Sequence, residues 1–470
     1  MYITTTIPYV NARPHLGFVL EIVQADVLAR HHRRRGEPVR FQTGTDDNSL
    51  KNVLAAEAAG IPVRDLVERN AAAFEALREP FDLSFDAFVR TSGDAAHRAG
   101  VERLWRATGH DLYQRHYEGL YCVGCEQFFT EDRCPEHGGP LQLVSEENWF
   151  FRLSRYQDAL RDLVASGRLR VEPAARRNEV LSFIDAGLAD ISVSRSQERA
   201  RGWGIPVPGD PSQVIYVWWD ALANYVTSLD GPGYRRWWVE EPRRTHLMGK
   251  GVIRFHAVYW PAMLLSAGEP LPTEIFVHDY VTVEGRKISK SSGTAADPVE
   301  LVRRYGVDAV RWWLLREVPR VGDTDFTEAR LAARADEDLA NGAGNLVNRV
   351  VSMVHRYFGG QVPDVAAEPL VPGVAERVHE ALEDFDFRRA ASAVWEIVEE
   401  ANRYVERAKP WKQTTAEREV SLAVLVAACG ELAVQLEVFL PTAAARIAAQ
   451  LDLRDGRLPV AAPLFARVAR

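Results

Sequence analysis

The amino-terminal part of the chain alternates the patterns of a strand, a loop, a helix and a second strand. Residues 2–7 are rich in β-branched side chains, residues 19–35 carry apolar side chains at helical spacing, and residues 39–43 predict another strand. Gly36 follows the helical segment, in the position where helices commonly end. Strands joined through a helix are expected to be parallel neighbours in one sheet, so the chain begins as an α/β fold.

The segment His15-Leu16-Gly17-Phe18 lies in the loop between this first strand and its helix. Free backbone N–H groups and the helix dipole make the start of a helix attractive to phosphate. Glycine has no Cβ, so Gly17 would let a nucleotide come close to the backbone. The segment therefore predicts a phosphate-binding loop.

The rest of the chain divides by pattern. Residues 112–201 are irregular and predict an insertion, strand and helix patterns return after residue 214, and the chain is almost wholly helical from residue 331, which predicts a helical bundle. The fold class is thus α/β followed by all-α. The expected limits are a first half of the α/β domain over 1–111, an insertion over 112–203, a second half of that domain over 204–265, a connecting segment over 266–330, and a helical domain over 331–470.

Length and composition place the chain among multi-domain globular proteins. Of its 470 residues, 47% are hydrophobic and 26% are charged, which is typical of globular proteins. A chain of this length is too long to fold around a single hydrophobic core. The formal net charge of -8 gives no global basic field, although local basic surface could still contact nucleic acid. No membrane-spanning run and no secretory leader are expected, so the interpretation is a cytoplasmic protein.

Lysine is rare in this chain. Only six of the 57 basic residues are lysines, and each lies in or beside a motif: Lys51, Lys250, Lys287, Lys290, Lys409 and Lys412. A compact ammonium is not equivalent to a guanidinium at a phosphate, which favours functional roles for these residues. The alternative is that the amino-acid composition drifted towards arginine and left these six lysines by chance.

Three of the four cysteines form a cluster with one histidine. Cys122 and Cys125 are followed by Cys134 and His137, in the pattern C-x2-C-x8-C-x2-H. Such paired thiolate and imidazole ligands predict one tetrahedral Zn2+. Four protein ligands close the coordination shell, so the predicted role is structural, one ion per chain.

A second segment, Lys287-Ile288-Ser289-Lys290-Ser291, completes a pair with His15-Leu16-Gly17-Phe18. Together they resemble the signature pair of class I aminoacyl-tRNA synthetases. The chain is similar from end to end to methionyl-tRNA synthetases of the short form with one zinc knuckle. The segments that carry this resemblance are 7–11, 43–46, 117–120, 121–125, 190–195, 203–206, 216–221, 255–261, 287–291 and 409–411. The family's fold is a Rossmann-type catalytic domain with a zinc-knuckle insertion, followed by a helical anticodon-binding domain.

The resemblance implies a methionine–tRNA ligase. ATP, with Mg2+, would activate the methionine carboxylate to methionyl-adenylate and release pyrophosphate, and the methionyl group would pass to tRNA(Met). The charge that develops on phosphate must meet preorganised donors, and no side-chain nucleophile is required. The implied ATP-binding residues are His15, Gly17, Lys287 and Lys290, and the implied catalytic residues are His15, Lys287, Lys290 and Arg195.

The resemblance also implies two recognition sites. Asp46 would hold the methionine ammonium group, within a pocket that comprises Ile7, Tyr9, Asp46, Trp218, Ala221, Tyr225, Val252 and His256. Asn345, Arg349 and Trp411 would contact the anticodon of the tRNA. Core packing is the alternative for the aromatic residues. The chain ends after the helical domain, and a monomer is expected.

Four segments depart from the family pattern near the expected nucleotide. Phe18 replaces the second histidine of the first signature, Asp47-Asn48-Ser49 stands for Glu-His-Gly, Gly251 replaces an aspartate, and Thr294 replaces an asparagine. Two hypotheses follow. Either the chain is a working ligase whose lost contacts are replaced, or it is a paralogue that binds methionine, an analogue or tRNA with weak or redirected activation chemistry.

Overall fold

The computed structural model describes residues 1–122, 127–129, 133–134, 140–287, 297–465 and 467. The chain forms two compact units. The first unit comprises Met1–Pro14, Pro38–Ala76 and Phe85–His278, and the second comprises His15–Glu37, Leu77–Ser84 and Asp279–Arg470.

Strands are concentrated in the first unit. In chain order the strands are Tyr2–Thr5 (β1), Arg40–Thr45 (β2), Ala87–Arg90 (β3), Leu112–Cys122 (β4), Gln127–Phe129 (β5), Gln142–Phe151 (β6), Arg170–Glu172 (β7), Ile191–Ser192 (β8), Ser194–Ser196 (β9), Pro206–Val207 (β10), Asp210–Ile215 (β11), Arg244–Gly249 (β12), Glu274–His278 (β13), Val281–Val283 (β14), Arg286–Lys287 (β15) and Thr324–Asp325 (β16).

Helices occur in both units and dominate the second. In chain order the α-helices are Leu16–Arg34 (α1), Leu50–Ala59 (α2), Val63–Glu75 (α3), Ala95–Ala107 (α4), Gln157–Ala165 (α5), Ala174–Asp185 (α6), Val217–Thr227 (α7), Gly231–Tyr234 (α8), Trp260–Ala267 (α9), Pro298–Tyr305 (α10), Val307–Arg316 (α11), Glu328–Arg334 (α12), Asn345–Phe358 (α13), Val374–Glu383 (α14), Phe387–Ala408 (α15), Thr415–Leu436 (α16) and Pro441–Leu451 (α17). Short 3-10 and π-helical turns connect several of them.

A six-stranded sheet forms the centre of the first unit. Its order is β3-β2-β1-β12-β13-β7, and every neighbouring pair is parallel. Tyr2 and Ile3 of β1 have no exposed surface, as expected for a strand covered on both faces. The strand order reverses between β1 and β12, and in such sheets ligands bind beyond the carboxyl ends of the strands near this reversal.

An antiparallel sheet lies within the region predicted to be an insertion. Its order is β5-β4-β6-β8, and the pairing of β4 with β6 runs from Leu112 opposite Phe151 to Tyr121 opposite Gln142. The short strand β7, from the same region of the sequence, instead joins the edge of the parallel sheet beside β13.

The carboxyl-terminal part of the second unit is helical, as predicted. Helices α13 to α17 cover most of the segments predicted as helices after residue 331. Thr414 and Glu417 form a reciprocal capping box at the start of α16, which fixes where this helix begins.

Within the described residues, one helix is long and apolar enough to cross a membrane by length and composition. This helix is α16, and 61% of its most apolar window is buried inside the protein. The core helix of a helical bundle has the same properties.

Candidate active site

The loops that follow β1 and β2 meet at one edge of the parallel sheet. Tyr9 and Asp46 form an isolated parallel bridge beyond the ends of these strands, and the Asp46 backbone N–H donates to the carbonyl of Pro8 at 3.0 Å. Since β1 and β2 are parallel, their carboxyl ends share this edge. Tyr9, Asp46 and the partly buried Ile7 are therefore held close to the reversal of strand order.

Asp46 is almost fully buried, at 1% exposure. Its Oδ1 accepts a hydrogen bond from the backbone N–H of Asn48 at 3.2 Å, and its carbonyl accepts one from the side chain of Asn52 at 3.1 Å. The Lys51 ammonium lies 4.7 Å from the centre of the Tyr9 ring. A buried carboxylate beside aromatic surface can receive a substrate ammonium group in a partly dry site.

Several aromatic residues of the predicted methionine pocket contact Trp218, in the first turn of α7. Its ring stacks on Phe255 with centroids 3.7 Å apart. Tyr9 approaches it edge-on at 6.2 Å, and His256 approaches at 6.4 Å. Flat aromatic surfaces of this kind suit an unbranched thioether, because contacts between sulfur and aromatic rings are favourable.

Tyr225 and His256, two further residues of the predicted methionine pocket, contact each other. The Tyr225 hydroxyl lies 2.8 Å from His256 Nε2, while His256 Nδ1 lies 2.9 Å from the carbonyl of Val252. A carbonyl only accepts, so His256 donates to Val252 through Nδ1. Ala221, one turn before Tyr225 on α7, is buried. All eight predicted methionine-pocket residues lie in the first unit.

Arg195 lies on β9 and is also buried in the first unit. Its guanidinium donates to the carbonyl of Ser194 at 2.6 Å and to the hydroxyl of Ser192 at 2.9 Å. It also lies 4.3 Å from the ring centre of Tyr216 and 5.3 Å from that of Tyr121. Together with Arg199 these side chains line a cleft that reaches Asn48.

His15 begins helix α1 in the second unit. It is the N-cap residue, and its Nδ1 accepts a hydrogen bond from the backbone N–H of Gly17 at 3.1 Å. A Cβ on Gly17 would lie 3.0 Å from the His15 ring, so a larger residue would displace the imidazole. Phe18 is buried, at 6% exposure.

The second signature segment is described only in part. Lys287 ends β15, whose backbone pairs with Thr282 of β14. Lys290 and Thr294 lie outside the described residues. Gly251 lies in a 3-10 turn, Lys250–Val252, directly after β12.

The three predicted anticodon residues lie in the second unit. Asn345 and Arg349 are one turn apart at the start of α13, and Asn345 is exposed. The Arg349 guanidinium pairs with Glu406 at 2.8 Å and lies 5.5 Å from the ring centre of Trp411. Trp411 is 41% exposed, enough to stack with an unpaired base.

The predicted zinc ligands are described in part. Cys122 at the end of β4 and Cys134 are both buried, whereas Cys125 and His137 lie outside the described residues. Among the residues that are described, no group of three or more histidine, cysteine or acidic side chains is arranged to hold a metal ion. Buried thiols are the donor type that Zn2+ prefers, so the two described side chains fit that metal.

Comparisons with known proteins identify the family of the chain. A family model described as "tRNA synthetases class I (M)" matches residues 1–142 and 134–351, and one described as "Anticodon-binding domain of tRNA ligase" matches residues 372–458. The methionine–tRNA ligase of Brucella melitensis is 38% identical over 490 residues, which covers 98% of this chain and 94% of the relative. The methionine–tRNA ligase of Mycobacterium tuberculosis is 40% identical over 446 residues, which covers 90% of this chain and 85% of the relative.

The chain belongs to the methionyl-tRNA synthetase family.

Solved structures of this family share the fold. The Mycobacterium tuberculosis methionyl-tRNA synthetase in complex with methionyl-adenylate superposes with a TM-score of 0.93 at 36% identity, covering 99% of each chain. The apo form of that enzyme gives a TM-score of 0.85 at 34% identity, covering 99% of this chain and 97% of that chain. The predicted fold class, a class I catalytic domain followed by a helical anticodon-binding domain, is therefore confirmed.

Several residues that contact the predicted site were missed by the reasoning from sequence. Phe255 stacks on Trp218, and Asp220, which lies between Trp218 and Ala221 on α7, forms a buried pair with His97 at 2.5 Å. Asp220 could have been found, since it lies in the segment 216–221 that resembles the family. For His97 the sequence offers no local signal, because its partner is 123 residues away in the chain.

Proposed function

We propose that this chain is a methionine–tRNA ligase that forms methionyl-adenylate from methionine and ATP and transfers the methionyl group to tRNA(Met). The observation that supports the proposal lies in the first unit, where the backbone of Tyr9 bridges to the buried Asp46 and the Tyr9 ring contacts Trp218 edge-on. A carboxylate for the ammonium group and aromatic surface for the thioether together match an α-amino acid with an unbranched apolar side chain.

The chemistry requires positioning and charge stabilisation. The methionine carboxylate attacks the α-phosphorus of ATP, a new P–O bond forms, and pyrophosphate leaves. A ribose hydroxyl of the 3′-terminal nucleotide of the tRNA then attacks the carbonyl carbon, loses its proton, and AMP leaves. His15, Gly17, Lys287, Lys290 and Arg195 are the residues proposed to bind ATP or stabilise developing charge. Mg2+ would accompany ATP and neutralise part of the phosphate charge.

Methionine-dependent exchange of pyrophosphate into ATP tests the first step. We expect exchange with methionine above the rate with no amino acid, and methionylation of tRNA(Met) by the same preparation. The paralogue hypothesis is favoured by Phe18, a buried apolar ring in the first signature that cannot donate to phosphate. Binding of methionine without any exchange, in folded and zinc-loaded protein, would support the paralogue and exclude the ligase.

The proposed zinc site predicts a metal content. Cys122, Cys125, Cys134 and His137 would hold one structural Zn2+, which would fold the knuckle and take no part in the reaction. We expect about one zinc per purified chain by elemental analysis. Replacing Cys134 by alanine should remove most of it, whereas Cys429→Ala, at the cysteine outside the cluster, should leave the zinc content unchanged. Equal zinc content in both variants would contradict the assignment.

The proposed anticodon site predicts a loss of tRNA affinity on removal of Trp411. A stacked base contributes ~1–3 kcal/mol, so Trp411→Ala should weaken binding of tRNA(Met) by roughly 5-fold to 150-fold, and Trp411→Phe should weaken it less. Trp237→Ala is the matched control, because Trp237 also lies beside an arginine, at 4.4 Å, but in the first unit. Comparable losses in Trp411→Ala and Trp237→Ala would refute a specific role.

The proposed domain limits are 1–111, 112–203, 204–265, 266–330 and 331–470. We further propose a cytoplasmic monomer that does not contact a membrane, and gel filtration at micromolar concentration would test the monomer.

A further inference from the structure

A chain of buried hydrogen bonds links Asn48 to Thr227. The Asn48 side-chain amide donates to Asp220 Oδ2 at 2.6 Å, and Asp220 Oδ1 lies 2.5 Å from His97 Nε2. The other ring nitrogen of His97, Nδ1, lies 2.6 Å from the hydroxyl of Thr227. Asn48, Asp220, His97 and Thr227 are each at most 9% exposed and all lie in the first unit.

This buried network connects the two parts of the pocket. The backbone N–H of Asn48 donates to Asp46 Oδ1, the carboxylate proposed to receive the substrate ammonium group. Its side chain holds Asp220, which lies on α7 between Trp218 and Ala221. A single residue thus ties the proposed ammonium site to the helix that supplies Trp218.

The neighbours of Asn48 hold the same loop in place. Asp47 accepts hydrogen bonds from Thr45 at 2.9 Å and Ser92 at 2.8 Å, and burial raises its pKa against the opposing effect of Arg90. Ser49 caps α2 by accepting from the backbone N–H of Lys51. All three residues of the segment Asp47-Asn48-Ser49, which departs from the family pattern, therefore form hydrogen bonds that hold this loop.

The chemical identity of residue 48 matters because Asp220 is buried. A buried carboxylate is costly unless donors surround it, and the Asn48 amide is a neutral donor aimed at one of its oxygens. A carboxylate at position 48 would remove that donor and place a like charge within hydrogen-bond distance of Asp220.

We propose that Asn48 is a positioning residue for methionine, which aligns the Asp46 carboxylate with the Trp218 ring through Asp220. The proposal rests on the proposed function, since it names the residue that fixes the amino-acid end of that site. Asn48 would act by aligning the residues of the pocket, and it would not need to contact the reacting atoms.

Asn48→Asp, compared with Asn48→His and Asn48→Ala, tests the proposal by equilibrium binding. At about pH 8 we expect Asn48→Asp to raise the Kd for methionine at least tenfold, with the Kd for ATP within twofold of wild type. Near pH 5.5 the variant should recover much of its affinity, because two adjacent carboxyl groups take up a proton and regain an O–H donor. Asn48→Ala, which cannot regain a donor, should be weak at both pH values, and Asn48→His should lie closest to wild type.

Asn178→Asp, an exposed asparagine on α6 of the same unit, is the matched control and should bind methionine as wild type does. Wild-type affinity in Asn48→Asp at about pH 8 would overturn the proposal, as would a parallel loss of methionine and ATP binding or a loss without pH recovery. Wild-type protein that binds methionine but catalyses no pyrophosphate exchange would refute the ligase function and leave this test intact. Wild-type protein that binds no methionine would refute both.

Discussion

Replacing Asp46 by asparagine is expected to lower kcat/KM for methionine by roughly 30-fold to several thousand-fold, since removing one partner of a buried charge pair costs ~2–5 kcal/mol. Asp46 is 1% exposed, so little water is available to replace its interaction with a substrate ammonium group. The asparagine side chain is similar in size, which limits the change to the loss of charge.

The measurement is methionine-dependent pyrophosphate exchange over a range of methionine concentrations. Asp65→Asn is the matched control, because Asp65 is an exposed carboxylate on α3 of the same unit. We expect the control to match wild type. A kcat/KM for Asp46→Asn within a few-fold of wild type would show that this carboxylate does not bind the substrate ammonium group.

Removing the buried carboxylate of Asp26 is expected to destabilise the second unit by ~3–5 kcal/mol, because it leaves an uncompensated buried charge. Asp26 on α1 pairs with Arg311 on α11 at 2.8 Å, and both side chains have no exposed surface. Arg311 also donates to the carbonyls of Phe81 and Phe439, at 2.9 and 2.8 Å. This guanidinium therefore joins three segments of the second unit that are distant in sequence.

Urea unfolding of Asp26→Leu, Arg311→Met and the double variant would measure this contribution. The double variant should lose less free energy of unfolding than the sum of the two single losses, because the buried Arg311 charge is then removed together with its Asp26 partner. Arg161→Met is the control, since Arg161 and Asp185 form an ion pair that is largely exposed and is expected to contribute little. Additive losses in the double variant would contradict a coupled pair.

The Asp26 pair also predicts how stability depends on pH. Burial by itself would raise the pKa of Asp26, but Arg311, Arg30 and hydrogen bonds from Ser84 hold it below the ordinary value. A lowered pKa in the folded state stabilises the protein above the unfolded-state pKa of about 4 and loses that effect as the pH falls further. The stability difference between wild type and Asp26→Leu should therefore shrink on acidification.

Local patterns in the sequence predicted the elements well where the pattern is long. The helical spacing after Gly17 corresponds to α1, and the long apolar periodicity after residue 331 corresponds to α13 through α17. Short strands were harder to predict from the sequence. Strand β7 has only three residues, and its place at the edge of the parallel sheet depends on pairing with β13, about 100 residues later in the chain. No local periodicity carries that information.

The sequence alone was sufficient to identify the family and to name candidate residues. Signature segments in a fixed order are a property of the chain, so they can be recognised without coordinates. What the tertiary structure decided is which of these residues act together. Asn48 meets Asp220 across 172 residues, and Asp26 meets Arg311 across 285. Such partners are chosen by the packing of a closed core, where every buried polar group must find a donor or an acceptor, and that requirement is visible only in three dimensions.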